Sequence, residues 1–587
     1  ANSISTSKET VSNVIQLKKT LKAEPHEHNP MGGFGRSTCM SGDGNYIVVT
    51  NYLKSDNIGY RMGAAYVYKW NGYDWAYQQK LTAQMHNTQG NDEDIAFGDY
   101  GSVGIDHVGS KIAIGARRKH GNLDDTGAIF AWTRVGESWG NYQEIYGAIE
   151  DSASFGYRST EISADGNYLV GGALDKNQPS NDEGVVNVYK WENNTWTFKQ
   201  QIVNNVGQTV DDFFGAKISL TSDGSRLFVG FREDYKDQTP ADDQGAVAWY
   251  DRSGETFTYQ GIIKAGIACL PHNLTIVHGG DAGENDYFGE HGLHTSPDGT
   301  WVAIAAAYHN PNSFDGDQGA VYIYKYEGSN YVQKTKVMGS FGFRNRGSSF
   351  FDHQEHFGFN CKISDDATKL LVCGHDYGFD GSNGYGAGYF FTRADTATDI
   401  WKKSSIIVED PLYYTGSNAI NLEFGLDYDM SADGSKFIIG QPWKEGGTAY
   451  IYSHGEREET TLKIDDNLTI GKKLTITNDR ERTVNIKTSD HLGADVWSYG
   501  APVNESDKIN HTNETNERFG WRLEMDAAGD YVLVSANHSD QPYDTGNDQG
   551  AVYLYKFDGN GWVRQFSWIG TGLAADTHFG YGLAMND

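Results

Sequence analysis

The stretch FGAKISLTSDGSRLFVGF, residues 214–231, decides the fold of this chain. It consists of a Phe-Gly pair, a short alternating run, an S-x-D-G turn and a second apolar run. Alternation with a period of two is typical of a half-buried β-strand, and an Asp-Gly pair favours the tight turn of a hairpin. The stretch therefore predicts two antiparallel strands, A and B, that turn at Asp223-Gly224.

The same unit recurs along almost the whole chain. After each hairpin comes a polar loop, then a glycine that opens an alternating run such as GAVYIYKY (319–326), which predicts strand C, and an aromatic residue then opens strand D. Four antiparallel strands that recur at such spacing predict the blades of a β-propeller, an all-β architecture. The Phe-Gly pairs begin at Phe34, Phe97, Phe155, Phe214, Phe288, Phe357, Phe424, Phe519 and Phe579.

The unit at Phe424 lacks the usual aromatic fourth strand, whereas residues 14–25 resemble a strand D without a blade of its own. A strand from the amino end that completes blade seven would close the ring and remove its open edge. We therefore predict a linker at 1–13, a seven-bladed propeller at 14–455, a small β linker module at 456–493 and the first blades of a second, truncated propeller at 494–587. The alternative is one eight-bladed propeller, in which TTLKIDD (460–466) supplies the seventh strand D.

The Phe-Gly units and the run WAYQQKLTAQ (75–84) after strand C resemble the FG-GAP repeat family of integrin-α-like propellers. The resemblance covers nearly every unit, and it implies partner binding on the face that carries the B–C and D–A loops. Family calcium loops would lie in the A–B hairpin with several alternating carboxylates. Here each of those turns has one carboxylate, which cannot supply the six to eight oxygens that calcium needs, so we predict hairpin residues instead. These turn residues are Asp43, Asp165, Asp223, Asp298 and Asp433.

Acidic residues are expected to crowd the B–C and D–A loop face. The pentamer DQGAV ends three B–C loops, at Asp243, Asp317 and Asp548, and its recurrence at one offset favours a role in the scaffold over a unique site. The sequence demands no cofactor, and calcium on this acidic face is the one candidate. Further acids precede the Phe-Gly pairs at Asp94, Asp151, Asp212, Asp286 and Asp352.

The formal charge of −30 argues against nucleic acid and anionic membrane surfaces as partners, because both require a cationic footprint. No apolar run approaches the roughly 20 residues of a membrane span, so no membrane insertion is expected. Seven N-x-S/T sequons favour an extracellular, secreted or surface-attached glycoprotein. Their asparagines are Asn193, Asn273, Asn467, Asn504, Asn510, Asn513 and Asn537.

The sixth unit departs most from the repeat and supplies the candidate sites. Its histidines and aspartates are residue types that bind zinc or another divalent ion, whereas its aromatic residues suit stacking on a sugar ring, and a solvated loop is the remaining interpretation. Cys361 and Cys373 flank a turn and are candidates for a disulfide. The metal candidates are His353, His356, His375, Asp376 and Asp380, and the ligand-binding candidates are Tyr377, Phe379, Tyr385 and His309.

No catalytic motif is recognisable, so no catalytic residue is predicted. The expected function is that of a non-enzymatic extracellular or particle-surface glycoprotein, structural or adhesive, that binds a protein or glycan partner through its acidic loop face. Tandem propellers also suggest assembly into an array or filament. A lectin-like carbohydrate-binding module is the first alternative, and a glycoside hydrolase or polysaccharide lyase is the second.

Overall fold

The computed structural model describes most of the chain up to residue 465 and four shorter segments beyond it. All regular secondary structure among these residues is β. None of them lies in a helix long and apolar enough to cross a membrane. The described residues are 3–22, 33–54, 62–83, 95–119, 126–147, 153–175, 183–204, 212–232, 244–265, 270–271, 286–309, 318–339, 355–375, 386–395, 399–408, 423–444, 446–465, 519–525, 531–536, 551–557 and 562–569.

The strands form eight antiparallel sheets, seven of them in a unit that spans Ala1–Asp466. Each sheet of that unit places strands A to D in order, as the repeat predicts, and the fold is a β-propeller. Blade 1 consists of β2 (Phe34–Met40), β3 (Tyr46–Asn51), β4 (Ala64–Trp70) and β5 (Trp75–Leu81). Blade 2 consists of β6 (Val103–Ile105), β7 (Lys111–Ala116), β8 (Ala128–Val135) and β9 (Ser138–Ile145). Blade 3 consists of β10 (Phe155–Ile162), β11 (Tyr168–Ala173), β12 (Val185–Glu192) and β13 (Thr195–Val203).

Blades 4 to 7 follow the same plan, with an additional short strand at the outer edge of blade 4. They consist of β14 (Lys217–Leu220), β15 (Arg226–Phe231), β16 (Ala246–Ser253), β17 (Thr256–Ile263) and β18 (Leu270–Pro271); β19 (Leu293–Thr295), β20 (Trp301–Ala306), β21 (Ala320–Glu327) and β22 (Asn330–Met338); β23 (Phe357–Ile363), β24 (Lys369–Gly374), β25 (Ala387–Asp395) and β26 (Ile400–Ile407); and β27 (Tyr428–Met430), β28 (Lys436–Gln441) and β29 (Thr448–Asp465), which β1 (Ser3–Lys22) completes.

Strand β1 closes the ring as predicted. It pairs antiparallel with β29 as the fourth strand of blade 7, with Lys22 opposite Thr448. Leu21 is buried in a cluster that contains residues of blades 1 and 7, including Phe34. The eight-bladed alternative is wrong, because residues 460–465 belong to β29 and pair with β1 instead of forming a separate strand D.

The pairing of β1 with β29 extends beyond the blade and corrects two predicted boundaries. β1 begins at Ser3 and β29 ends at Asp465, so residues 3–13 and 456–465 are strand rather than linker. Only β1 pairs with β29 past Ser453, since β28 starts opposite that residue. From His454 to Asp465 the two strands thus form a ribbon about 36 Å long at about 3.3 Å per residue.

The recurring Phe-Gly pair and the strand C glycine join neighbouring blades. The strand C glycines of blades 2 to 5 have φ between +76° and +81°, and a Cβ on any of them would collide with the backbone of the phenylalanine that opens the next blade. The amide of Phe288 donates to the carbonyl of Gln244 (2.8 Å) and that of Phe357 to Gln318 (3.0 Å). A parallel bridge between Phe34 and Gly447 makes the same junction where the ring closes.

These junctions explain why DQGAV recurs at one offset from Phe-Gly. In the copies at 243–247 and 317–321, the glutamine carbonyl accepts the amide of the next phenylalanine, and the glycine lies where only a residue without a Cβ fits. The aspartates Asp243, Asp317 and Asp548 lie outside the described residues. In these two copies, the glutamine and the glycine are therefore scaffold elements.

The aspartates of the S-x-D-G turns act as hairpin residues, as predicted. In blade 5 the Asp298 carboxylate accepts hydrogen bonds from the Ser296 hydroxyl (2.7 Å) and the Thr300 amide (2.9 Å). The equivalent aspartates of blades 1, 3, 4 and 7 also accept the amide two residues later, at 2.9–3.0 Å. Each carboxylate is thus used to hold its own turn.

The same turns are linked to one another around the axis by backbone hydrogen bonds. The Asp43 amide donates to the carbonyl of His107, the His107 amide to Ala164, and the Ala432 amide to Gly42 across the closure. Similar bonds join blade 3 to blade 4, blade 4 to blade 5 and blade 6 to blade 7. These turns surround one end of the channel, and we call this side of the propeller the turn face.

Residues Asn467–Asp587 form a second compact unit. Its described strands make one four-stranded sheet with the blade order A to D. The predicted linker hairpin and the predicted orphan strand at 494–505 lie outside the described residues. The strands are β30 (Phe519–Met525), β31 (Tyr531–Ala536), β32 (Ala551–Phe557) and β33 (Trp562–Ile569).

Candidate functional site: the axial channel and its mouth

The innermost strands of the seven blades surround an axial channel. The side opposite the turn face carries the Phe-Gly pairs, and we call it the FG face. The two residues after each Phe-Gly pair lie at the FG-face end of the channel, and they differ from blade to blade although the pair itself is constant. In blade order these residues are Arg36 and Ser37, Asp99 and Tyr100, Tyr157 and Arg158, Ala216 and Lys217, Glu290 and His291, Phe359 and Asn360, and Leu426 and Asp427.

Below this end the channel widens into a polar chamber of about 190 Å³. Lys362 forms an ion pair with Asp429 (2.9 Å), whose other oxygen accepts the Met40 amide (2.8 Å). Asp427 accepts the Thr38 amide at 2.7 Å. The charged and polar groups that line the chamber include Glu161, Lys217, His294, Lys362, Asp427 and Asp429, from blades 3 to 7.

Burial within the chamber changes the ionisation of these groups. It raises the pKa of Glu161 to about 7, although nearby Lys362 opposes the shift. It likewise raises the pKa of Asp427 to about 6, against the effect of Lys217. Burial together with both lysines lowers the pKa of His294 well below its ordinary value, so this imidazole is neutral at pH 7.

The chamber meets the FG face through a narrow mouth, which we call the axial mouth, with a free volume of about 30 Å³. Tyr100 of blade 2 and Phe359 of blade 6 approach across the axis, with ring centroids 6.3 Å apart. Arg158 of blade 3 reaches Glu290 of blade 5 (3.2 Å). Lys217 lines both the axial mouth and the chamber.

Arginine and aromatic side chains surround the axial mouth. Arg117 lies over the Tyr157 ring at 4.4 Å, and Arg232 lies over Tyr287 at 4.4 Å. Arg158 lies over both Tyr100 (5.4 Å) and Tyr157 (5.2 Å). We call this group the arginine–aromatic patch; its members are partly exposed, and they are Tyr100, Arg117, Tyr157, Arg158, Arg232 and Tyr287.

Two of the acids predicted on the FG face, Asp212 and Asp286, are buried and paired. Asp286 contacts His309 (2.7 Å), and Asp212 accepts a hydrogen bond from Asn204 (3.1 Å). The described centre of this face is rich in arginine and aromatic residues, and the acidic character of the whole face stays a prediction. The other acids predicted on this face, Asp94, Asp151 and Asp352, lie outside the described residues.

The structure brings two of the predicted metal candidates together. His356 and His375 are both buried, and their rings stack with centroids 5.1 Å apart. Phe359 lies 4.3 Å from His375, which joins the pair to the axial mouth. Within the described part of the chain, no group of three or more His, Cys, Asp or Glu residues is placed to hold a metal ion. The candidates His353, Asp376, Asp380, Tyr377, Phe379 and Tyr385 lie outside it.

His309, the remaining predicted ligand residue, is internal. Its side chain is buried between Asp286 and Lys336, whose Nζ lies 2.8 Å from Nε2. This imidazole links two charged groups within blade 5 and does not face the axial mouth. The prediction that it contacts a ligand is therefore not supported by its position.

The predicted disulfide is wrong. Cys361 and Cys373 are both free and buried. Cys361 lies opposite Val372 and Cys373 lies opposite Asn360, so the two thiols occupy adjacent cross-strand positions. Because adjacent positions of a strand pair point to opposite faces, the thiols pack into different cores and their Cβ atoms cannot be bridged.

One sequon lies within the described residues. Asn193 is exposed in the turn between β12 and β13, with φ +53°. Asn273, Asn467, Asn504, Asn510, Asn513 and Asn537 lie outside the described residues. Glycosylation of the seven asparagines stays a prediction.

Sequence reasoning missed the axial mouth. The signal that would have found it is the variation directly after an otherwise constant Phe-Gly pair. A scaffold repeats its residues from blade to blade, whereas a single axial site has to break the repeat. The mouth residues are the ones that do so.

Stability should depend on the ionisation of Glu161. Since the folded pKa is about 7 and the ordinary value is 4.5, the protonated carboxyl stabilises the fold below about pH 4.5, and this contribution is lost as the pH rises through 7. The side chain of Glu161→Gln stays neutral, so this variant should become more stable than the parent as the pH rises through these values. At pH 8 the difference in the free energy of unfolding should be on the order of 2 kcal/mol. Denaturant unfolding at pH 4 and pH 8 measures the difference, and a constant difference at both would contradict the prediction.

No family model matches the chain, and no curated protein matches it. Solved structures do match. Hydrazine synthase of Kuenenia stuttgartiensis is 10% identical, with a TM-score of 0.43 over 73% of this chain and 98% of that one. A putative 6-phosphogluconolactonase of Bacteroides fragilis and a periplasmic gluconolactonase of Pseudomonas aeruginosa are each 12% identical, with a TM-score of 0.37 over 64% of this chain and 85% of theirs.

Proposed function

We propose that this chain is a non-enzymatic binding module of an extracellular or particle-surface adhesion glycoprotein, built from FG-GAP-like propellers, that engages a partner through the FG face. The observation that carries the proposal is the arginine–aromatic patch. Tyrosine and arginine are enriched among residues that dominate binding energy at interfaces, because they offer large contact areas with polar ends. Here three arginines and three tyrosines lie together on one partly exposed surface.

The patch is also held in shape before any partner arrives. Glu290 is buried and receives Arg232 through two hydrogen bonds of 3.0 Å and Arg158 through one of 3.2 Å. The arginines are thus fixed over their aromatic neighbours. A preorganised surface loses less side-chain entropy on binding, which favours affinity.

The direction of the ribbon supports the same assignment. β29 begins beside the FG-face junction at Gly447 and runs toward the turn face, so the β1–β29 ribbon leaves the propeller on the side away from the axial mouth. Ser3 and Asp465 are opposite each other at the tip of the ribbon. The ribbon therefore leaves the axial mouth uncovered.

Binding to an immobilised panel of glycans and candidate surface proteins tests the function. The double variant Arg117→Ala and Tyr157→Ala should weaken any specific binding at least tenfold, since it removes one stacked pair of the patch. The matched control is Tyr73→Ala, an 83% exposed aromatic residue in the strand C to strand D turn of blade 1, on the turn face. Equal losses in both variants, or none in either, would count against the FG face.

A carbohydrate-binding module is the second candidate, and the partly exposed rings at the axial mouth favour it. Tyr100 and Phe359 offer apolar faces beside hydrogen-bonding groups, a combination that suits sugars. Glycan binding without turnover would support this candidate. Release of products from a polysaccharide would instead favour the hydrolase or lyase alternative.

A further inference from the structure

We propose that Lys217 at the axial mouth binds a carboxylate of the ligand, so that the partner of the FG face is one that inserts an acidic tip into the channel. This inference rests on the proposed partner binding and specifies its chemistry. It depends on the position of one ammonium group, on the pairing of the other cations near it and on the size of the space in front of it.

The other cations near the axis are already neutralised by carboxylates. Arg158 pairs with Glu290 at 3.2 Å, Lys362 pairs with Asp429 at 2.9 Å, and Arg36 pairs with Asp99 at 2.9 Å. Among the residues that the structure describes, the Lys217 ammonium makes no side-chain hydrogen bond or ion pair, although its charge acts on the pKa values of Asp427 and Glu161. An ammonium carries three donors, so Lys217 is the cation left to receive an acceptor from outside.

The nearest carboxylates are engaged elsewhere. Asp427 accepts the Thr38 amide (2.7 Å) and the Asn360 side chain (3.1 Å). Glu161 accepts the Leu220 amide (3.1 Å). Burial raises the pKa of Glu161 to about 7, which reduces the negative charge that it presents to Lys217 at pH 7, whereas Asp427, with a pKa of about 6, stays mostly ionised.

The space at the axial mouth is small, which suits the tip of a ligand. Its volume of about 30 Å³ is close to the share of one water molecule in the liquid. The body of a ligand would consequently stay on the FG face, beside Tyr100 and Phe359, while its acidic tip reaches Lys217. The chamber of about 190 Å³ beneath leaves room for ordered water.

Titration of the full chain with acetate, glucuronate and glucose tests the inference by calorimetry or ligand-observed NMR at low salt. Glucuronate and glucose share a sugar ring and differ in the carboxylate, so glucuronate should bind at least tenfold more tightly. Acetate carries the carboxylate alone. Binding of acetate as tight as that of glucuronate would assign recognition to the carboxylate itself, and tighter binding of glucuronate would assign it to an acidic sugar.

Lys217→Met should weaken glucuronate binding at least tenfold, whereas Lys217→Arg should retain it within threefold. The matched control is Lys402→Met, an exposed lysine of β26, which should change nothing. Absence of binding by both acids, equal binding of glucose, or unchanged binding in Lys217→Met would overturn the inference. If the Arg117 and Tyr157 double variant still loses partner binding in that case, the proposed function stands without it.

Discussion

Removal of residues 1–22 is expected to lower the unfolding midpoint of the propeller by at least 10 °C and to cause aggregation. The deletion takes the fourth strand from blade 7 and exposes the edge of β29 from Thr448 to Gly455. It also removes buried Leu21 and the hydrogen bond from Lys19 to the Trp75 carbonyl (2.6 Å) in blade 1. The loss of about eight cross-strand residue pairs and one large buried apolar side chain should lower the free energy of unfolding by roughly 5 kcal/mol or more.

Differential scanning calorimetry and size-exclusion chromatography measure this loss. A synthetic peptide of residues 3–22, added in trans, should restore much of the midpoint, because it can pair with β29 in the same register. A scrambled peptide of equal composition is the control. A truncated chain as stable and as soluble as the parent would show that β1 does not close the ring.

Gly319→Ala should destabilise the propeller by about 3–5 kcal/mol, because the new Cβ would collide with the backbone of Phe357 in the next blade. Gly319 has φ +81°, and the added atom would lie 2.6 Å from the Phe357 nitrogen and closer still to its carbonyl oxygen. Backbone groups cannot rotate aside as a flexible side chain can. Blades 5 and 6 would have to move apart, which should be visible in denaturant unfolding.

The same blade offers the matched control. Gly328, in the turn between β21 and β22, has φ +76° and open space where a Cβ would be added. Gly328→Ala should cost only the strain of a positive φ, about 1–2 kcal/mol. The difference between the two variants isolates the contact between blades, and equal losses would show that this contact adds nothing beyond backbone strain.

Much of the fold could be predicted because the repeat is local. The S-x-D-G turns, the alternating runs and the aromatic start of strand D each lie within one hairpin, where residue type determines conformation directly. Even the missing fourth strand of blade 7 could be inferred, since an open propeller edge demands a partner. The extent of the ribbon from Ser3 to Asp465 could not, because its polar residues carry no clear alternation.

The candidate site could not be predicted in the same way. Interest in unit six rested on its histidines, of which His356 and His375 proved to be buried and stacked. The disulfide between Cys361 and Cys373 seemed plausible from spacing alone, but a shift of one residue in register places the thiols in different cores. Errors of this kind arise because the face of the sheet to which a side chain points depends on the exact register of the paired strands.

By itself, the sequence determined that the chain is built from four-stranded units and that the first strand completes the seventh of them. Both follow from short-range patterns and from the need to pair every strand edge. Only the tertiary structure decided that Tyr100, Arg158, Lys217 and Phe359 meet at one axial mouth. These residues lie on different blades, and only closure of the ring brings them within contact of one another.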